Sequence, residues 1–196
     1  MAARAPERWN VAALGELAGR TLGLVGLGGI GTAVARRALA FDMRVVALRR
    51  TGRPSPLSQV EVASSIEDVL ARADHLVLAA PATEATRHMV DAEALALVQP
   101  GVHLVNIARG ALVDHDALRV ALDDGRVALA SLDTVEPEPL PTGHWLYAHP
   151  RVHLSAHVSW SSPRFLDRMV ELFVANVRRF QAGQPLEGVV DAEEGY

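Results

Sequence analysis

Residues 21–31 read Thr21-Leu-Gly-Leu-Val-Gly26-Leu-Gly28-Gly29-Ile30-Gly31, and the fold follows from this stretch. The apolar run Leu22 to Val25 passes straight into Gly-x-Gly-x-x-Gly and then into a helix-forming segment, Thr32 to Phe41. That order is strand, tight turn, helix. Gly26 allows the turn, Gly28 leaves no Cβ between the main chain and a pyrophosphate, and Gly31 lets the helix pack closely on the strand. The helix N-terminus adds N–H groups and a partial positive charge for phosphates. A bare glycine pattern is weak, but here its strand-before and helix-after context is met. Residues 26–31, Gly29 and Ile30 included, are expected to cradle a dinucleotide; the plain alternative is an ordinary glycine-rich turn.

The totals agree with an enzyme-sized globular unit. At 196 residues the chain has room for one substantial core. It is 49% hydrophobic, with mean hydropathy +0.15, which is not a disordered composition. A net charge of −4 and a pI near 6.0 supply no global attraction to nucleic acid or an anionic membrane. The absence of cysteine excludes disulfides, thiolate zinc sites and cysteine nucleophiles. The N-terminus has no apolar signal core, and charge interrupts every apolar stretch before membrane-spanning length. The expectation is a soluble cytoplasmic protein.

From the glycine stretch outward, strands and helices alternate. Residues 1–20 read as a lead-in, with Trp9 docking on the body. Strands are expected at Arg44–Leu48, Val60–Val62, His75–Ala80, Val102–Asn106, Arg126–Leu132 and Val152–Leu154. His75 to Ala80 is almost wholly apolar, as suits a strand covered on both faces. Ser64 or Ser65 should cap a helix running to Arg72, a further helix is expected over Asp91–Val98, and Asp114 should cap one that Gly125 stops. Ser162-Pro163 should start a last helix, with Phe165, Met169, Leu172, Phe173, Val177 and Phe180 on one face and Gly183 at its end. Glu136 to Pro141 must be a rigid loop. The fold class is α/β, a doubly wound parallel sheet forming a Rossmann-type dinucleotide-binding domain over 21–183, followed by a polar, extended tail at 184–196.

Ligands of open α/β sheets bind at the carboxyl ends of the strands. The residues there are Pro81-Ala-Thr83, Asn106-Ile107-Ala108-Arg109-Gly110, Asp133 to Glu138, and Ser155-Ala-His157. One arginine, one or two carboxylates and one histidine thus share a rim with the glycine loop. Reduction of an oxo acid by a nicotinamide needs such a set: a guanidinium to fork a carboxylate, a proton donor for the carbonyl oxygen, and a carboxylate to hold the imidazole charged.

Asn106-Ile-Ala-Arg109-Gly-Ala-Leu-Val-Asp114, then Leu132-Asp-Thr-Val-Glu-Pro-Glu-Pro-Leu-Pro141, then Ala156-His157-Val resemble the D-isomer-specific 2-hydroxyacid dehydrogenase family over nearly the whole chain. The resemblance implies hydride transfer from NAD(P)H to a small 2-oxoacid such as hydroxypyruvate or glyoxylate. Arg109 resembles the substrate arginine, His157 the acid/base and Glu138 its carboxylate partner. Asp133 resembles the residue that meets the nicotinamide carboxamide, while Glu136 is out of register with the catalytic position. Pro81, Thr83, Ile107, Ala108, Arg109 and His157 join the glycine loop as cofactor-binding positions. Two departures stand out: Ala156 precedes the histidine where the family usually has proline, and the run continues to Trp160; and only a short lead-in stands where family members carry a substrate domain. The expectation is that this domain is missing, to be supplied by a homodimer or a partner chain. A rival reading is a nucleotide-binding regulatory or interaction module without turnover.

The position that would accept a ribose 2′-OH, about 20 residues past the glycine motif, holds Arg49 instead of a carboxylate. Arg50 and Arg53 follow it. NADP(H) is therefore expected over NAD(H), the alternative being an exposed basic loop. His144, His149, His153 and His157 span loop and strand with no companion thiolates, so no metal is expected.

Overall fold

The computed structural model describes residues 15–50 and 54–190. Trp9, Arg53 and the final residues 191–196 lie outside that range. Seven strands form one sheet: β1 (Thr21–Val25), β2 (Arg44–Leu48), β3 (Val60–Ala63), β4 (His75–Leu78), β5 (Val102–Asn106), β6 (Val127–Leu132) and β7 (Val152–Leu154). Their order is β3-β2-β1-β4-β5-β6-β7 and every pairing is parallel. The helices are α1 (Gly29–Ala40), α2 (Ile66–Arg72), α3 (Ala92–Ala96), α4 (His115–Asp123) and α5 (Phe165–Gln181). The doubly wound α/β reading holds.

Parallel strands need crossovers, and helices in those crossovers cover the faces. One face packs Leu70, Leu104, Leu118, Leu122 and Leu132 into a continuous core. On the other, α1 lies across β1 and β2, with Ala35 and Ala38 against Leu24, Val45 and Ala47. Small residues on α1 let it sit close to the sheet. The caps act where expected: Ser65 accepts from Asp68 N–H at 3.3 Å, and Asp114 from the N–H groups of Asp116 and Ala117. The chain leaves β1 to one side through β2 and β3, then returns to β4 on the other side. The crevice between the carboxyl ends of β1 and β4 is the switch point where ligands of such sheets bind.

Five local expectations change. Helix α1 starts at Gly29, three residues before Thr32, because the glycine loop itself bends into the first turn. Strand β4 ends at Leu78 and α3 spans only Ala92–Ala96. Helix α5 is capped at Arg164 with no side-chain hydrogen bond, so Ser162 is not its cap. None of its residues is buried: Phe173 is 68% exposed and Phe180 76%, so the apolar face is real but uncovered among the described residues. The tail is not extended where it is described. It doubles back along α5, with Glu187 N–H on Asn176 Oδ1, Asn176 Nδ2 on the Glu187 carbonyl, and an Arg179–Glu187 ion pair.

Candidate active site and dinucleotide cleft

The glycine loop forms the wall of the switch-point crevice. Gly26 has φ +102, and a Cβ there would lie 2.6 Å from the carbonyl oxygen of Ala79, the residue just past β4 across the crevice. Gly28 caps α1 with no side-chain hydrogen bond, and the first turn of α1 carries no acidic residue. A Cβ built on Gly28 or Gly29 meets nothing within 4 Å, and Ile30 is 61% exposed. The crest of the loop is bare main chain at a positive helix end, and it fits a diphosphate.

The far end of β2 reaches the same loop, since Gly26 N–H donates to the Leu48 carbonyl at 3.0 Å. Arg49 follows directly. It is half-buried, with Nη1 donating to the Pro54 carbonyl at 2.7 Å, while Arg50 is exposed. Pro81 and Thr83 leave β4 in a loop stitched by Thr86. Its hydroxyl accepts from Thr83 N–H and donates to the Pro81 carbonyl, both at 2.8 Å.

After β5, the buried Asn106 clamps the chain. Its Oδ1 accepts from Ala108 N–H at 3.0 Å, and its Nδ2 donates to the Arg109 carbonyl at 2.8 Å. Ile107 is half-buried, Ala108 is buried, and the Arg109 side chain is exposed with Nη1 on the Ala108 carbonyl at 2.7 Å. Gly110 then passes hard against the loop that follows β6; a Cβ there would lie 2.0 Å from the Val135 carbonyl carbon. This approach brings Arg109 beside the carboxylate loop.

In that loop the two glutamates diverge. Glu136 turns to Arg87, 3.1 Å away, and to His88 at 3.9 Å. Glu138 accepts from Val135 N–H at 3.0 Å and meets His157 Nδ1 at 2.9 Å. Burial alone would raise the Glu138 pKa. The His157 and Val135 hydrogen bonds, with the nearby charges of His157 and Arg109, outweigh burial and hold the carboxyl below its ordinary value. Arg109, Glu138 and His157 are thus drawn together from three different strand ends.

Asp133, 5% exposed at the end of β6, organises the segment that carries the histidine. Its carboxylate accepts from Ser155 Oγ at 2.5 Å, and from the N–H groups of Val158 and Ser159 at 3.0 Å each. Burial pushes its pKa up, but the bonds from Ser155, Ser159 and Val158 win and bring it down to about 2. The Asp133 carbonyl accepts His157 N–H at 2.8 Å. His157 itself has φ +51, a left-handed conformation costing a residue with a side chain roughly 1–3 kcal/mol. A cleft of about 270 Å³ lies beside it, lined by Ile107, Asp133, Ser155 and Val158 among others.

The sequence reading gave no role to Asn106, Gly110, Ser155 or Trp160, nor to Arg87. The first four lie in stretches already singled out, so position after a strand was the available signal; nothing pointed to Arg87. Among the described residues no three His, Asp or Glu side chains are grouped to hold a metal ion, and no helix is long and apolar enough to cross a membrane.

Comparison with known proteins agrees with this fold. The family model described as D-isomer specific 2-hydroxyacid dehydrogenase, NAD binding domain, matches residues 3–159. A glyoxylate reductase of Thermococcus gammatolerans is 37% identical over 179 residues, which cover 91% of this chain and 53% of that protein. A D-isomer specific 2-hydroxyacid dehydrogenase of Xanthobacter autotrophicus Py2, solved with NADPH and MES, superposes with a TM-score of 0.85 at 34% identity, covering 97% of this chain and 78% of that one. An NADPH-dependent glyoxylate/hydroxypyruvate reductase of Sinorhizobium meliloti, solved with NADP and sulfate, gives 0.87 at 29% identity over 97% and 61%. The chain spans about half the length of the curated relatives it matches.

Proposed function

The chain belongs to the D-isomer specific 2-hydroxyacid dehydrogenases, and from that premise we propose that it is the coenzyme-binding part of an NAD(P)-dependent reductase of small 2-oxoacids, with glyoxylate and hydroxypyruvate as substrates. The observation that carries the reading is the 2.9 Å pairing of His157 Nδ1 with Glu138 Oε2, with Arg109 near enough for its charge to act on the same carboxylate. One ring nitrogen facing a carboxylate leaves the other, Nε2, to give a proton to a substrate oxygen. Arg109 forks the substrate carboxylate and polarises the carbonyl beside it. Glu138 orients the ring through the Nδ1 contact.

A bound nicotinamide dinucleotide would supply the hydride. Gly26, Gly28, Gly29, Ile30 and Gly31 would hold its diphosphate, Asp133 its carboxamide, and Pro81, Thr83, Ile107 and Ala108 the walls around it. The family model is that of an NAD-binding domain; the preference for NADP(H) is our reading of Arg49 and Arg50. Residues 21–183 form the coenzyme unit, and the opposite wall of the substrate cleft comes from a further domain, a second copy or a partner chain.

Calorimetric titration of NADPH, followed by steady-state NADPH oxidation with glyoxylate and with hydroxypyruvate, tests the reading. Cofactor binding with slow turnover is expected, because near-attack positioning between two walls is worth orders of magnitude in rate. Turnover in the common range of about 1–10³ s⁻¹ would overturn the need for a second wall. Failure to bind either nicotinamide cofactor would overturn the function itself.

A further inference from the structure

His157 is gripped at both ends of its main chain. Its N–H is held by the Asp133 carbonyl, and its own carbonyl accepts the indole N–H of Trp160 at 2.8 Å. The next main-chain turn bond, Ser161 N–H to the Val158 carbonyl, falls one residue further on. The donor to His157 is therefore a side chain. Trp160 is 57% exposed, so burial accounts for little of its placement. Its ring is seated edge-on against Phe165, the first residue of α5, with centroids 4.8 Å apart. A large aromatic held at the surface by one ring contact, aiming its only polar atom at a left-handed backbone, is placed for direction.

We infer that Trp160 is a positioning residue for His157: its indole N–H secures the left-handed main chain that turns the imidazole to Glu138. The inference rests on the reading of Glu138 and His157 as the proton-transfer pair. Phe165 sets the indole and the indole sets the His157 carbonyl. On the other side Asp133 sets the His157 N–H, and its carboxylate draws in Val158 and Ser159. With Trp160 removed, the right-hand half of this grip is gone and the backbone relaxes toward negative φ. That movement swings the ring away from Glu138.

The test reads the pair and needs no turnover. The Glu138 side-chain carboxyl is titrated by ¹³C NMR in the wild type, in Trp160→Phe, and in a protein carrying benzothienylalanine at position 160. The benzothienyl ring keeps the shape of indole and lacks the donor. A fourth sample, His157→Phe, reports the Glu138 midpoint with the pair abolished. The two position-160 replacements should raise the Glu138 midpoint toward that of His157→Phe, with the isostere melting close to wild type. A wild-type midpoint in the isostere, with a raised one in His157→Phe, overturns the role of Trp160 and leaves the pair standing. An unmoved midpoint in His157→Phe overturns the pair itself. Should Trp160→Phe fold poorly, the isostere alone decides, since it keeps the bicyclic shape of the indole.

Discussion

Gly110 touches Val135 so closely that no side chain fits between them: a Cβ would sit 2.0 Å from the carbonyl carbon and 2.2 Å from its oxygen. The loop after β5, which carries Arg109, is thereby locked to the loop after β6, which carries Glu138. Gly110→Ala must push one of them away. Overpacking of this kind costs about 1–3 kcal/mol, or more when backbone is struck. Denaturant unfolding should show that loss, and 2-oxoacid reduction should fall further than the fraction folded.

His157→Ala should lower kcat about 10²–10⁴-fold, the usual worth of a general acid, and weaken NADPH binding far less. Paired kinetics and cofactor titration check this.

The Glu138 carboxyl is held below its ordinary value, so its stabilising pairing is complete above the ordinary carboxylate range. The pairing is lost as pH falls through the lowered value. The acid limb of the pH–rate profile should therefore lie below the ordinary carboxylate range, and Glu138→Gln should abolish that limb while lowering kcat. An acid limb unchanged in Glu138→Gln would mean the wrong carboxylate has been assigned.

Asp133 carries the clearest acid sensitivity. With a folded pKa of about 2 against an unfolded value near 3.9, the unfolded chain binds the proton more readily. The stability it contributes, of order 2–3 kcal/mol, is complete above about pH 4 and is lost as pH falls toward 2. Asp133→Asn should destabilise the protein by a similar amount at neutral pH and flatten the pH dependence of its melting temperature in that window.

Arg49→Asp should move cofactor choice toward NADH. Charge-assisted bonds to a 2′-phosphate are worth about 1.5–3 kcal/mol, so losing one removes roughly a ten- to hundredfold preference for NADPH. Titrating both cofactors into both proteins checks this. Equal affinities in the wild type would show that Arg49 does not read the 2′-phosphate.

The sheet was legible because buried parallel strands are near-continuous apolar runs, as at His75–Leu78, and because the glycine loop marks the first of them. Boundaries were less so. The start of α1 was read three residues late, since Gly29 and Gly31 have poor helix propensity and only the tertiary turn makes them helical. The rim residues Arg109, Glu138 and His157 were visible from position after strands and from the family resemblance. Asn106 and Trp160 act through hydrogen bonds to the main chain of their own loops, and Ser155 through one to the Asp133 carboxylate; such bonds leave no period in the sequence. That the described residues leave α5 uncovered could not be read either, because an amphipathic pattern records which face wants cover and not what supplies it.

That face, uncovered among the described residues, changes how the folded chain behaves in a test tube. Phe173, Phe180, Leu166 and Met169 stand more than half exposed on one helix, with Val189 and Val190 close behind in the tail that returns along it. A patch of this kind adsorbs environment-sensitive dyes and plastic surfaces while every strand is still paired. The chain should thus be bright with such a dye before any heating. A dye-based melt would then start high and fall, and circular dichroism is the sounder ruler of its unfolding.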